Sequence, residues 1–227
     1  MGKKNRWVQK NVRIGIENMM DFDLLFDRSD LPYVLKQAKT LSKEECRAIY
    51  NYFEEYKPKR ILEFGTQYGC STRVFIEISK WFGLDAEVHS WDINCQIRKD
   101  CVDRNSFTFH QEDITGKEKH IIDTFRPDLV FLDAHPYELT KNLMTVCIEK
   151  DINFMCHDVS VEIYERSKLR SNNFTNKNPS NGTEWELYLL KELISKDIIN
   201  RDFFENDKII VECVRDRFGL AIIKTKK

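Results

Sequence analysis

The sequence predicts an α/β fold: a doubly wound, seven-stranded sheet, mostly parallel, that finishes in an antiparallel hairpin. Three observations carry this reading. From about Lys43 onward, short apolar runs alternate with segments of helical spacing, the pattern of a parallel sheet covered on both faces. One apolar run ends at Gly65 and passes through Gly69 into a helical segment, a strand–loop–helix unit whose amides can hold a ligand. Near the end, Lys208 to Val214 and Phe218 to Lys224 are separated only by Arg215-Asp216-Arg217. That gap is too short for a helical crossover, so the two runs pair as a hairpin.

The elements follow in order. Ser42-Lys43-Glu44-Glu45 reads as a capping box that opens a helix carrying Cys46, Ile49, Tyr50 and Phe53 on one face, with Pro58 ending it. Strands are expected at Arg60–Gly65, Glu87–Asp92, Phe107–Gln111, Asp128–Asp133 and Asn153–Asp158. Helices are expected at Ser71–Phe82, Lys117–Phe125, Tyr137–Lys150 and Glu184–Ser195, and Asn172–Gly182 reads as a polar loop. Right-handed crossovers set all the strand C-termini along one edge, where ligands of such sheets bind.

Composition narrows the classes. The 227 residues are 41% hydrophobic and 32% charged, with a formal net charge of -1, which suits one core with appendages. Residues 42–227 form the expected domain, and residues 1–41 are read as an N-terminal cap or oligomerisation arm. The balanced charge gives no general attraction to nucleic acid or to an anionic membrane, and no apolar run reaches membrane-span length. Seven cysteines without a C-x-x-C pair point to reduced thiols and a cytoplasmic location. The expected partner is a small molecule, with a homo-oligomer as a further option.

Chemistry-bearing residues gather at the predicted strand ends. Gly65 and Gly69 give a ligand close access to backbone, and Thr66, Ser71 and Thr72 can cap the next helix or touch the ligand. The G-x-x-x-G spacing differs from the G-x-G-x-x-G of nicotinamide-binding proteins. Glu63 sits inside a strand, where a charge needs a partner: a ligand's cationic amino group, a loop amide or local backbone. Asp92 closes the second strand, a place from which a carboxylate can accept both hydroxyls of a ribose. Asp113 follows the third, where it either meets an adenine amino group or belongs to turn chemistry.

Ile61-Leu62-Glu63-Phe64-Gly65-Thr66 with Gly69-Cys70-Ser71-Thr72 resembles the first motif of the class I S-adenosylmethionine-dependent methyltransferases, which have Rossmann-like sheets. The sequence looks most similar to the branch of cephalosporin hydroxylase-like proteins and macrocin-type sugar O-methyltransferases. The resemblance runs from about Leu41 to Lys224. It implies S-adenosyl-L-methionine as cofactor and the hydroxyl of a sugar or glycosylated metabolite as acceptor. A hydroxylase-like or non-catalytic member of the fold and a small-molecule N-methyltransferase are the alternatives.

Asp133 and Asp158 end the fourth and fifth predicted strands. Neighbouring strands lie roughly 5 Å apart, so both carboxylates can reach one cation. Oxygen ligands favour Mg²⁺, while His157 or His135 would admit Mn²⁺. Such an ion lowers the pKa of a bound hydroxyl, and a nearby His takes its proton. His135 and Asp133 are therefore the candidate catalytic residues, and Asp133, His157 and Asp158 the candidate metal ligands. In the resembling branch the motif after the fourth strand runs into His and Tyr; Asp133-Ala134-His135-Pro136-Tyr137 is one residue shorter. His157 stands where that branch has an acidic residue.

Overall fold

The computed structural model describes residues 21–29, 31, 33, 35, 40–176 and 183–226. Most of the predicted arm and part of the predicted polar loop lie outside them. Helix α1 (Lys43–Tyr56) opens on the expected box: Glu45 N donates to Ser42 Oγ at 3.2 Å, and Ser42 N donates to Glu45 Oε2 at 2.6 Å. Strand β1 (Arg60–Phe64) leads through the glycine loop into α2 (Cys70–Trp81). Then come β2 (Glu87–Asp92), β3 (Thr108–Gln111), α3 (Glu118–Phe125), β4 (Leu129–Leu132), α4 (Tyr137–Glu149) and β5 (Phe154–His157). The C-terminal part holds α5 (Val161–Arg170), α6 (Glu186–Leu193), β6 (Phe203–Glu205), β7 (Ile209–Val214) and β8 (Leu220–Thr225).

Among the described residues the sheet has eight strands rather than seven, in the order β3-β2-β1-β4-β5-β8-β7-β6. β1 to β5 are mutually parallel, and β8 enters antiparallel between β5 and β7. The additional strand, β6, pairs antiparallel with β7 at the sheet edge. Its three residues are too few to show an alternation. Helix α5 is likewise absent from the sequence expectation, because its buried face is only Ile163, Tyr164 and Ser167 among charged residues.

Successive residues of each strand face opposite sides of the sheet. Leu62, Val130, Leu132, Phe154 and Cys156 join one apolar cluster with Ile121, Leu143 and Leu190 of α3, α4 and α6. Ile61, Leu129, Phe131 and Met155 join the other, with Phe53 of α1 and Phe75 of α2. At roughly 1.5–3 kcal/mol for each large apolar side chain, these two layers hold the sheet between the helices. The helical stretch 21–28 packs on α1, with Phe22 edge-on to Tyr50 at 5.4 Å and Asp23 2.9 Å from Lys43. No helix among the described residues is long and apolar enough to cross a membrane.

Strand register decides which residues meet at the sheet edge. Phe64 pairs with both Trp91 and Leu132, and Leu132 pairs with Cys156. The next residues of β1, β2, β4 and β5 (Gly65, Asp92, Asp133 and His157) therefore emerge side by side on one edge.

Candidate functional site

A cavity of about 640 Å³ opens at that edge, a size suited to a small-molecule ligand. Gly65, Gln67, Tyr68, Asp92, Ile93 and Asp113 line one half, and Asp133, His135, His157 and Asp158 line the other. Gly65 adopts φ +99°, and a Cβ there would run into the carbonyl of Asp133. Only glycine lets β1 turn away so close to the end of β4. Gly69 (φ +84°) caps α2 in the left-handed region, closed in by Val102.

On the first half, Asp92 Oδ2 accepts Gln67 N and Oδ1 accepts Asn94 N, each at 2.9 Å. A carboxylate has about four lone-pair sites, so both oxygens keep acceptor capacity toward the cavity. Asp113 accepts Thr115 N at 2.9 Å, an Asx-type turn contact that also anchors the carboxylate at the cavity wall. This backbone contact holds the Asp113 carboxyl below its ordinary value.

Four residues expected around the ligand stand elsewhere. Glu63 shares the face of Ile61, so its side chain turns toward α2 and is fully buried. There it accepts hydroxyl hydrogen bonds from Ser71, Thr72 and Ser90, and Thr66 bonds Ser90 in turn. Glu63, Thr66, Ser71 and Thr72 thus form a polar knot under the loop, and their side chains brace it from below. Burial pushes the Glu63 carboxyl up to about 7 against the pull of the three hydroxyls.

The second half is acidic and partly buried. Asp133, His135 and Asp158 each offer a ligand atom, all within 4.8 Å of one another. His135 replaces His157 in this group, and the reason is geometric. His157 is 5% exposed and lies behind the carboxylates, its Nδ1 3.3 Å from Asp133 Oδ1 and 3.6 Å from Asp158 Oδ1. Its Nε2 points toward Glu45 Oε2 at 4.0 Å. His157 thus acts as a buried cationic prop beneath Asp133. Burial opposes its charge, but Asp133, Asp158 and Glu45 overcome this and raise it to about 9.

His135 is exposed at the cavity mouth, between two carboxylates: Nε2 is 3.9 Å from Asp158 Oδ2 and Nδ1 3.6 Å from Glu186 Oε1. Burial works against its protonation, and Glu186, Asp133 and Asp158 together raise it to about 10. Asp158 holds a left-handed backbone (φ 60°), a conformation costing on the order of 1 kcal/mol or more for a non-glycine residue. Burial, then the charge of Asp133, lifts its carboxyl to about 7. Four carboxylates (Glu45, Asp133, Asp158 and Glu186) therefore face two imidazoles. Carboxylate oxygens thus predominate around the mouth, and Asp133, Asp158 and a neutral His135 could together hold a divalent cation there. The donor set fits such an ion.

Glu45 and Glu186 were missed by sequence reasoning in this role. Glu45 was legible only as the far half of a capping box, yet it also accepts Gly219 N at 2.8 Å. Glu186 follows Trp185 in the first turn of a helix, where an acidic residue reads as an ordinary partner of the helix dipole.

No protein-family model matches the sequence, and no curated protein matches it. Solved structures do. A Staphylococcus aureus protein provisionally assigned as a caffeoyl-CoA O-methyltransferase superposes with a TM-score of 0.60 at 15% identity, covering 93% of this chain and 100% of that one. The MycE methyltransferase from the mycinamycin biosynthetic pathway, solved with Mg and SAH, gives 0.53 at 17% identity over 88% of this chain, which spans 55% of that protein's length. The CmcI N160 apo-structure overlaps 59% of this chain and 60% of its own length at 21% identity, with a TM-score of 0.44. The chain has the fold of the class I S-adenosylmethionine-dependent methyltransferases.

Proposed function

We propose that the chain is an S-adenosyl-L-methionine-dependent O-methyltransferase that acts on a hydroxyl of a small molecule with the help of a divalent cation. The observation that carries this reading is a single cavity with two chemically different halves: a glycine loop with Asp92 and Asp113 on one side, Asp133, His135 and Asp158 on the other. The first half offers what an adenosine-bearing donor needs. Gly65 leaves backbone open at the end of β1, Asp92 can accept two ribose hydroxyls, and Asp113 can accept an adenine amino group. The MycE structure, solved with Mg and SAH in the same fold, supports the pairing of donor and metal.

In the second half Asp133 and Asp158 would hold the cation together with His135. When bound, that cation supplies Lewis acidity that lowers the pKa of an acceptor hydroxyl. Asp133 and Asp158 place that hydroxyl at the β4 and β5 ends, one and two strands away from the β1 loop. Methyl transfer moves CH₃ from sulfonium to oxygen as the O–H proton departs to water at the open mouth of the cavity, because a His135 that holds the cation through Nε2 and faces Glu186 through Nδ1 has no nitrogen left to receive it. The chain's contribution is positioning and charge placement, which account for most of the barrier lowering in such a displacement. The sequence resemblance favours a sugar or glycosylated metabolite as acceptor. Free cysteines throughout the described residues support a reducing, cytoplasmic setting.

Calorimetric titration with S-adenosylhomocysteine, with Mg²⁺ and again with a chelator, tests the reading. Binding weakened at least tenfold by Asp92→Ala is expected. No binding under either condition would sink it.

A further inference from the structure

Glu186 is fully buried at the start of α6, and neither of its carboxylate oxygens has a hydrogen-bond partner in the structure. A buried carboxyl group is not left this way without cause. Its Oε1 lies 3.6 Å from Nδ1 of His135, whose Nε2 faces Asp158. Metal-binding imidazoles commonly donate their second ring N–H to a carboxylate, which fixes the tautomer and ring orientation and makes the ligating nitrogen more basic. The Glu186–His135–Asp158 line has that order.

We infer that Glu186 is a positioning residue that holds His135 as a nitrogen ligand beside Asp133 and Asp158, and that the site therefore prefers a first-row transition ion such as Mn²⁺ over Mg²⁺. The inference rests on the cation site proposed above and is independent of the acceptor. A cage of oxygen donors suits Mg²⁺; one imidazole among two carboxylates shifts preference toward ions that accept nitrogen. His157 cannot take this place without leaving its buried position, where both ring nitrogens already face carboxylates. The arrangement also accounts for the cost of burying Glu186: its charge orients the imidazole, and the cation offsets it.

The test uses the full chain and the metals alone. Mn²⁺ binding is followed by electron paramagnetic resonance with Mg²⁺ as competitor, and pulsed measurements read nitrogen coupling to the bound ion. Mn²⁺ is expected to bind at least tenfold tighter than Mg²⁺, with a ¹⁴N signal that disappears in His135→Ala and survives in His157→Gln. Glu186→Ala should weaken Mn²⁺ binding roughly 10–100-fold, with Glu186→Gln, which keeps an acceptor oxygen, in between. Mg²⁺ affinity should move less. Thermal melts of each variant identify any that fails to fold, and the ¹⁴N signal of the wild-type chain decides the matter regardless. Absence of nitrogen coupling, its loss in His157→Gln alone, or equal affinity for the two ions overturns the inference. Metal binding without S-adenosylhomocysteine binding would sink the methyltransferase reading and leave this one standing; the converse outcome would do the reverse.

Discussion

Two glutamates are completely buried on opposite sides of the same cavity, and they are treated in opposite ways. Glu63, below the β1 loop, accepts three hydroxyls. Glu186, behind His135, accepts no hydrogen bond at either oxygen, with His135 Nδ1 standing 3.6 Å from its Oε1. The first carboxylate is satisfied within the protein, so its role is complete before any ligand arrives. The second is left with an unmet demand that the N–H of a metal-bound imidazole, with the cation beyond it, would answer. A buried carboxylate with its partners present reads as scaffold, and one without them reads as a site waiting for charge.

The two sides meet at Gly65, and the largest effect is expected there. Gly65→Ala puts a Cβ into the backbone of Asp133 at a left-handed φ, so either β1 or β4 must shift. Destabilisation of roughly 3–5 kcal/mol and loss of S-adenosylhomocysteine binding are expected, measured by urea melts and calorimetry. A variant that melts like wild type would show that the loop and the β4 end are not locked together.

A smaller effect is the pH dependence that Glu63 gives the fold. Burial raises the Glu63 carboxyl from its ordinary value of 4.5 to about 7. Between these values the folded chain holds a proton that the unfolded chain has released, so the group's contribution to stability is full below about 4.5. It is lost as pH rises through 7. The shift corresponds to about 3 kcal/mol. Glu63→Gln should remove this slope, which chemical denaturation at pH 5 and pH 8 would read as a smaller difference between the two conditions. An unchanged slope would place the proton elsewhere.

How far the fold and the site were legible in the sequence depends on the range of the interaction concerned. The central parallel strands β1, β4 and β5 showed as apolar runs, because both their faces are buried, and the capping box at Ser42–Glu45 is written within four residues. The carboxylates at Asp92, Asp133 and Asp158 were found from strand ends alone. Glu63 was noticed as an anomaly, but its partners on α2 and β2 depend on which face of β1 it occupies, and that parity is set by the neighbouring strands. The exchange of His157 for His135 beside the acidic pair depends on side-chain direction at two adjacent strand ends. Glu186 was invisible because its meaning comes from contact with His135, more than one helix and strand away in the chain.

The smallest expected effect bears most directly on the contrast. If Glu186 carries an unmet demand, removing its charge should cost the metal-free fold little, because the lost attraction to His135 is offset by relief of the burial that already pushes its carboxyl upward. Glu186→Gln should therefore melt within about 1 kcal/mol of wild type when no metal is added. Glu63→Ala, by comparison, strands three buried hydroxyls and should cost about 3 kcal/mol. Equal losses in the two variants would mean that Glu186 is held by His135 as firmly as Glu63 is held by its hydroxyls, and that both are scaffold. A near-silent Glu186→Gln that still weakens Mn²⁺ binding separates the two: the satisfied carboxylate serves the fold, and the unsatisfied one serves the ligand.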